Sequence, residues 1–375
     1  TENLFSKITL NESTDFSRYN YFYASFVAST GDIKKAKEIV NSALKLYPRN
    51  LLLNQYKIDL NYNKNILAFN CKKKEHVIAE ILYITANALS SQSMYSLSNF
   101  YLNLAKYLNK DFHSYDTLIA ENFYKTKNFK KAEKIYNNLS KNGEAYHWYS
   151  SKQLARIFIQ KEDKNRALKL LKKSYNNLLN REIYETFDYA EFLKNNEKFE
   201  ESITFYTKII NQIKKEHPLY AEATDGRGVA YERIGEWDKA EKDLLSSLKV
   251  NPNQAYVINY LAYSWIEKGV KINKSLSMLE KANKLRSNDP YITDSLGWAL
   301  FKLKRYKEAK DYLQLAVRLM PADPIVNDHY GDVLWQLNRK MQAKYFWKSV
   351  LEFEDTDDKM RKDIQNKLLN GPSKI

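Results

Sequence analysis

A small residue, Ala or Gly, recurs through this chain at nearly constant distance. It stands at Ala24, Ala86, Ala120, Ala155, Ala190, Gly228, Ala262, Gly297 and Gly331, with successive steps of 62, 34, 35, 35, 38, 34, 35 and 34 residues. A second small residue follows each after twelve or thirteen positions, at Ala36, Ser98, Ala132, Ala167, Ser202, Ala240, Ser275, Ala309 and Ala343. A bulky side chain often precedes that second position, as at Ile33, Tyr95, Phe129, Phe199, Trp237 and Tyr306. Pro48, Pro252 and Pro321 each fall twelve residues beyond it, where a helix has to end.

Packing explains such a pattern. Two small residues facing each other on antiparallel helices let the backbones approach, and large neighbours fill the holes around them. One helix pair cannot bury its own apolar face, so successive pairs stack and share a continuous core. Composition agrees. With 9 Gly and 7 Pro in 375 residues, the chain lacks the turn formers of a many-stranded sandwich or barrel. A hydrophobic share of 44% is enough to build cores. No apolar run approaches the ~18–20 residues of a membrane-spanning helix. The single cysteine, Cys71, has no partner for an internal disulfide.

The repeat resembles the tetratricopeptide repeat, TPR, of the bacterial type. Residues 221–254 carry Gly228, Tyr231, Gly235, Trp237, Ala240, Leu244 and Pro252 on the family pattern, and residues 17–50 carry Ala24, Gly31, Ile33, Ala36, Val40, Ala43 and Pro48. Nine units are recognisable within residues 17–352. The resemblance implies an all-α fold, a right-handed α-solenoid of antiparallel helix pairs with a C-terminal capping helix. The expected organisation is an N-terminal segment over 1–16, a basic and degenerate array over 17–220, a well-matched array over 221–352, and a cap and tail over 353–375. The 62-residue step predicts a short degenerate unit near 51–78, and the 38-residue step predicts an insertion around Lys214–Pro218. Residues 356–370 read as a polar capping helix stopped by Asn370, Gly371 and Pro372. The first residue is Thr, which leaves room for a start codon or a cleaved targeting segment ahead of it.

Catalytic and cofactor chemistry finds no constellation. His76, His113, His147, His217 and His329 lack a second His or Cys at metal-ligand spacing, and no phosphate-binding glycine loop or nucleophile motif occurs. The expectation is therefore a non-enzymatic scaffold with no metal, no cofactor and no small-molecule substrate.

What the resemblance implies is a binding groove. In the family, positions two, five, nine and twelve of each first helix face a ligand. Here they give Asp225, then Tyr256, Asn259 and Tyr263, then Tyr291, Asp294 and Trp298, then Asp328, Asp332 and Trp335. This set is aromatic and acidic, suited to anchoring and hydrogen-bonding a peptide or protein segment. Lys152 and Arg156 place a small basic patch in one earlier unit.

Net charge is +15, and residues 221–375 hold only 26 basic and 22 acidic side chains, so the excess lies mainly in residues 1–220. That basic half supports two alternative readings, an RNA-binding helical repeat or an adaptor on an anionic membrane surface. The side chains at position five of the basic units form no base-reading code, so nucleic acid ranks below protein as the partner. The wording of residues 296–300 and 329–332 resembles envelope-associated bacterial proteins of the family, which favours a periplasmic or envelope site over the cytoplasm.

Overall fold

Helix is the only regular structure among the described residues, 2–9, 17–64 and 68–372, of the computed structural model. The chain forms two compact units, residues 1–198 and 199–375. The first holds α1 (Glu2–Thr9), α2 (Ser17–Ser29), α3 (Ile33–Leu46), α4 (Leu51–Asn61), α5 (Lys74–Ser91), α6 (Tyr95–Leu108), α7 (Ser114–Lys125), α8 (Phe129–Leu139), α9 (Glu144–Gln160), α10 (Lys164–Asn176) and α11 (Ile183–Asn195). The second holds α12 (Phe199–Gln212), α13 (Leu219–Arg233), α14 (Trp237–Val250), α15 (Ala255–Glu267), α16 (Ile272–Leu285), α17 (Pro290–Lys302), α18 (Tyr306–Leu319), α19 (Pro324–Gln336), α20 (Lys340–Glu352) and α21 (Asp358–Asn370).

Antiparallel pairs α2/α3, α5/α6, α7/α8, α9/α10, α13/α14, α15/α16, α17/α18 and α19/α20 carry the two small residues at their contact. Ala24, Ala86, Ala120, Ala155, Ala262, Ala36, Ala132, Ala167, Ala240, Ala309 and Ala343 are fully buried. A Cβ on Gly297 would lie 2.7 Å from Leu313 Cγ, so the α17/α18 contact is closer than alanine allows.

The turn inside each pair is equally regular. A residue with left-handed backbone stands seven positions after each first small residue: Gly31, Ser93, Lys127, Glu162, Glu197, Gly235, Gly269, Lys304 and Asn338. Six of these carry a side chain at positive φ, each at some cost in strain. Asp32, Asn128 and Asp163 then cap the following helix, accepting from the backbone N–H of Lys35, Lys131 and Arg166. Pro290 and Pro324 open α17 and α19, behind Asp289 and Asp323 as N-caps.

The segment between α3 and α5 holds a single helix, α4, among its described residues. Helix α4 lies against α9 rather than pairing with α5. Gln55 Oε1 accepts from the Ala145 backbone N–H at 3.1 Å, and Lys57 Nζ reaches Glu182 at 2.8 Å. Gly143, with φ of +125°, lets the chain pass the Gln55 side chain. Just before α4, the Arg49 guanidinium lies over the Tyr184 and Phe187 rings, 3.4 Å from Asp188. The insertion between α12 and α13 is a loop over residues 213–218.

Two substitutions in one pair are expected to act in opposite directions. Gly297→Ala forces Leu313 aside and lowers stability by about 1–3 kcal/mol. Lys304→Gly removes the left-handed strain at φ of 61° and raises stability by about 1 kcal/mol. Urea unfolding followed by circular dichroism separates them; two shifts of the same sign would contradict this account of the pair.

Candidate functional site

The first helices α13, α15, α17 and α19 of the second unit share one face, and the side chains at their family-derived ligand positions divide into an exposed row and a buried polar network. Three large apolar side chains form the row: Tyr256, Tyr291 and Ile325 are 50%, 55% and 51% exposed. They occupy the same position on α15, α17 and α19, 35 and 34 residues apart. Tyr256 is held in place by its neighbours. Its hydroxyl donates to Asp289 Oδ2 at 2.8 Å, and Arg286 lies 4.6 Å from its ring centre.

The acidic residues of this face are engaged within the chain. Asp294 on α17 is buried, with His329 Nδ1 of α19 at 2.9 Å from Oδ2 and 3.1 Å from Oδ1. Trp298 stacks on the His329 ring at a centroid distance of 3.9 Å and on Phe301 at 4.7 Å. Its indole N–H donates to Glu267 at 2.7 Å. Burial works against a charged His329, but Asp294, with help from Asp328 and Asp332, holds the imidazolium above its ordinary range.

Lys367, from α21, reaches Asp328 at 2.6 Å and Asp332 at 2.8 Å. One ammonium thus sits between two carboxylates, which leaves one negative charge in excess. The more buried group carries the penalty: burial, reinforced by Asp328, pushes Asp332 up to about 6 against the pull of Lys367. Trp335 packs on Trp347 at 5.4 Å, and Gly371 lies against its ring.

The remaining expected residues are placed as follows. Asp225 on α13 accepts from Ser247 at 3.4 Å, and Gln254 donates to the same hydroxyl at 2.9 Å. Asn259 is half-buried, its carbonyl oxygen without a hydrogen-bond partner. Tyr263 is half-buried, its ring 6.5 Å from His329. In the first unit, Lys152 is paired with Asp188, while Arg156 pairs with Glu121 at 3.3 Å and stacks 3.6 Å from the Tyr124 ring. Both cations of the basic patch are thus already matched by carboxylates.

Sequence reasoning passed over His329 and Lys367 as parts of this network. The signal was present in the period, because each lies 35 residues after the carboxylate it pairs with, Asp294 and Asp332. A side chain one repeat further along faces its counterpart across the contact between neighbouring repeats.

A family model described as "Tetratricopeptide repeat" matches residues 109–355. The chain belongs to the tetratricopeptide repeat family. A TPR repeat-containing protein of Pseudomonas aeruginosa is 28% identical over 127 residues, which cover 34% of this chain and 21% of that protein. Among solved structures, MamA from Desulfovibrio magneticus has a TM-score of 0.40 at 18% identity, covering 47% of this chain and 97% of its own. YrrB, titled a TPR protein with an unusual peptide-binding site, has a TM-score of 0.39 at 15% identity, covering 52% of this chain and 97% of its own. As a TPR protein, this chain has the architecture of a protein-interaction scaffold. Among the described residues, no helix is long and apolar enough to cross a membrane, and no group of three His, Cys, Asp or Glu is placed to hold a metal ion.

The charge network sets the pH dependence of this TPR end. Asp332 and His329 both have raised folded-state values. Each therefore contributes stability that is complete at low pH and lost as pH rises through the folded value, near 6 for Asp332. Asp332→Asn is expected to shrink the gain in thermal midpoint that the parent shows between pH 7 and pH 4, leaving the part that His329 contributes near pH 7. Lys367→Met should cost about 3 kcal/mol at pH 7 and less at pH 4, where the carboxylates take up protons. Calorimetry across that range checks both; parallel pH profiles for the parent and Asp332→Asn would contradict the assignment.

Proposed function

We propose that this protein is a non-enzymatic scaffold that binds an extended protein segment along the first-helix face of its second unit and so helps to assemble a larger complex. The observation that carries this reading is the row of Tyr256, Tyr291 and Ile325, exposed at one position of three successive first helices. Large side chains placed for packing are covered; these three stand free in register, with Asp289 and Arg286 fixing the orientation of the first.

Packed helices lie about 8–10 Å apart. A segment in the extended polyproline II conformation advances about 3.1 Å per residue with three residues per turn, so each step along the row corresponds to about three ligand residues and returns a side chain to the same face. The ligand expected is a segment of about seven residues with apolar side chains at every third position. Lys367 already holds Asp328 and Asp332 of α19, so that helix contributes Ile325, while Asp225 on α13 and Asn259 and Tyr263 on α15 supply polar groups beside the row.

Selection of a displayed random-peptide library against the full chain tests this. Enriched peptides should carry apolar residues three apart. Their affinity should fall at least tenfold for Tyr256→Ala/Tyr291→Ala, in keeping with about 1–2 kcal/mol for each truncated aromatic anchor. The control Lys239→Ala/Lys242→Ala, on exposed residues of α14, should leave it unchanged. Equal affinity for the aromatic variant and the parent would overturn the assignment of the face.

A further inference from the structure

The helix pair α5/α6 in the first unit breaks the surface pattern of the array. Taken relative to the second small residue, four positions of each second helix face away from the core. In α8 and the turn just past it they hold Lys131, Lys134, Asn138 and Lys141, and in α16 they hold Lys274, Ser277, Lys281 and Lys284. In α6 the same four positions hold Leu97, Phe100, Leu104 and Tyr107, all exposed, Phe100 at 57% and Tyr107 at 76%.

The partner helix α5 shows the same departure. In the second unit, Val257, Tyr260 and Leu261 of α15 belong to a cluster with Trp237, Leu244 and Leu248 of the preceding α14. The equivalent positions of α5 are Ile81, Ile84 and Thr85, and all three are exposed, with Val77 and Ile78 exposed one turn earlier. The cause is visible in the fold. The helix that comes before α5 in the chain is α4, and it lies against α9, so the pair lacks the second helix that would cover this face.

The exposed face is therefore shaped to receive a helix. Its charge is asymmetric. Lys72, Lys73 and Lys74 at the start of α5 and Lys110 just past α6 are exposed at one end, set against Glu75 and Asp111. Asn109 Nδ2 donates to the Ala68 carbonyl at 2.9 Å, which ties the two basic stretches to the same end of the pair. At the other end the turn is neutral, over Gln92, Ser93 and Met94.

We propose that the Ile81–Ile84 and Phe100–Tyr107 face docks an amphipathic helix of a partner protein. The helix presents an apolar stripe to α5 and α6 and carboxylates to Lys72, Lys73, Lys74 and Lys110. The stripes run over about ten residues, or about 15 Å of helix, so the docked segment spans three turns or slightly more. A contiguous apolar face of this kind on a repeat array marks an interface rather than ordinary surface, since terminal faces need polar covers for solubility.

The test uses the full chain and a fluorescein-labelled synthetic helix of sixteen residues. The probe carries Leu at alternating three- and four-residue spacing and three Glu at one end; a twin carries Lys in place of Glu. Fluorescence anisotropy should show saturable binding of the Glu probe and at least tenfold weaker binding of the Lys twin. Ile81→Asp/Phe100→Asp should abolish binding of both, and Lys72→Glu/Lys73→Glu/Lys74→Glu should reverse the preference between them. All five substituted residues are exposed, and an unchanged circular dichroism melt verifies that the variants stay folded. Equal binding of the twins, or binding unaffected by Ile81→Asp/Phe100→Asp, overturns the proposal. Sedimentation showing that the parent self-associates and that this variant is monomeric overturns it in favour of a second copy. Flotation of the parent, but not the variant, with phosphatidylglycerol vesicles and no binding of the Glu probe overturns it in favour of a lipid surface.

Discussion

The close approach of two helices at a small residue fixes the spacing on which the rest of this molecule depends. Gly297 against Leu313 and Gly331 against Trp347 leave no room for a methyl group. Because that contact returns every 34 or 35 residues, so does everything positioned relative to it. The left-handed turn residue follows seven positions on, at Gly31 without strain and at Glu162, Glu197 and Lys304 in spite of it. Side chains one repeat apart meet where neighbouring repeats pack, and this is how Asp294 finds His329 and how Asp332 finds Lys367.

Much of this was legible in the residues. The period, the antiparallel pairs, the proline-opened helices α17 and α19 and the capped start of α21 at Asp357 all follow from local chemistry repeated at a fixed interval. What was not legible depends on where side chains end up in three dimensions. Asp328 and Asp332 stand at positions that face a ligand in the family, yet here an ammonium from α21 reaches them first. Lys152 and Arg156 read as a basic patch because their carboxylate partners, Asp188 and Glu121, are 36 and 35 residues away in sequence. The long step between Ala24 and Ala86 announced an irregular unit, but nothing local to residues 51–61 says that α4 will pack against α9.

Covered and uncovered faces contrast within this one chain. On α19 and α20, helix α21 acts as a cover. Ile364 is buried, the Arg361 guanidinium donates to the carbonyls of Leu351, Phe353 and Thr356 at and just past the end of α20, and Lys367 bridges the acidic pair. Most of the outer side of α21 is polar, as the end of an array requires. On α5 and α6 the equivalent work is undone: Ile81, Ile84, Phe100 and Tyr107 meet solvent although most of their counterparts elsewhere are at least partly buried or are polar. The row formed by Tyr256, Tyr291 and Ile325 departs from the same economy of burial, on a face where the fold has no use of its own for exposed aromatics. Departures from the packing rule, rather than the rule itself, identify the surfaces available to partners.

The measurement that bears most directly on this account is a scan with a photo-crosslinking amino acid in cells of the source organism, one position at a time. Sites 256, 291 and 325 sample the row, sites 81 and 100 sample the α5/α6 face, and sites 239, 242 and 281 sample charged outer positions of α14 and α16. The account predicts discrete protein adducts at the first two groups and none at the third. Adducts spread evenly over all eight sites, or confined to the charged outer positions, would contradict it.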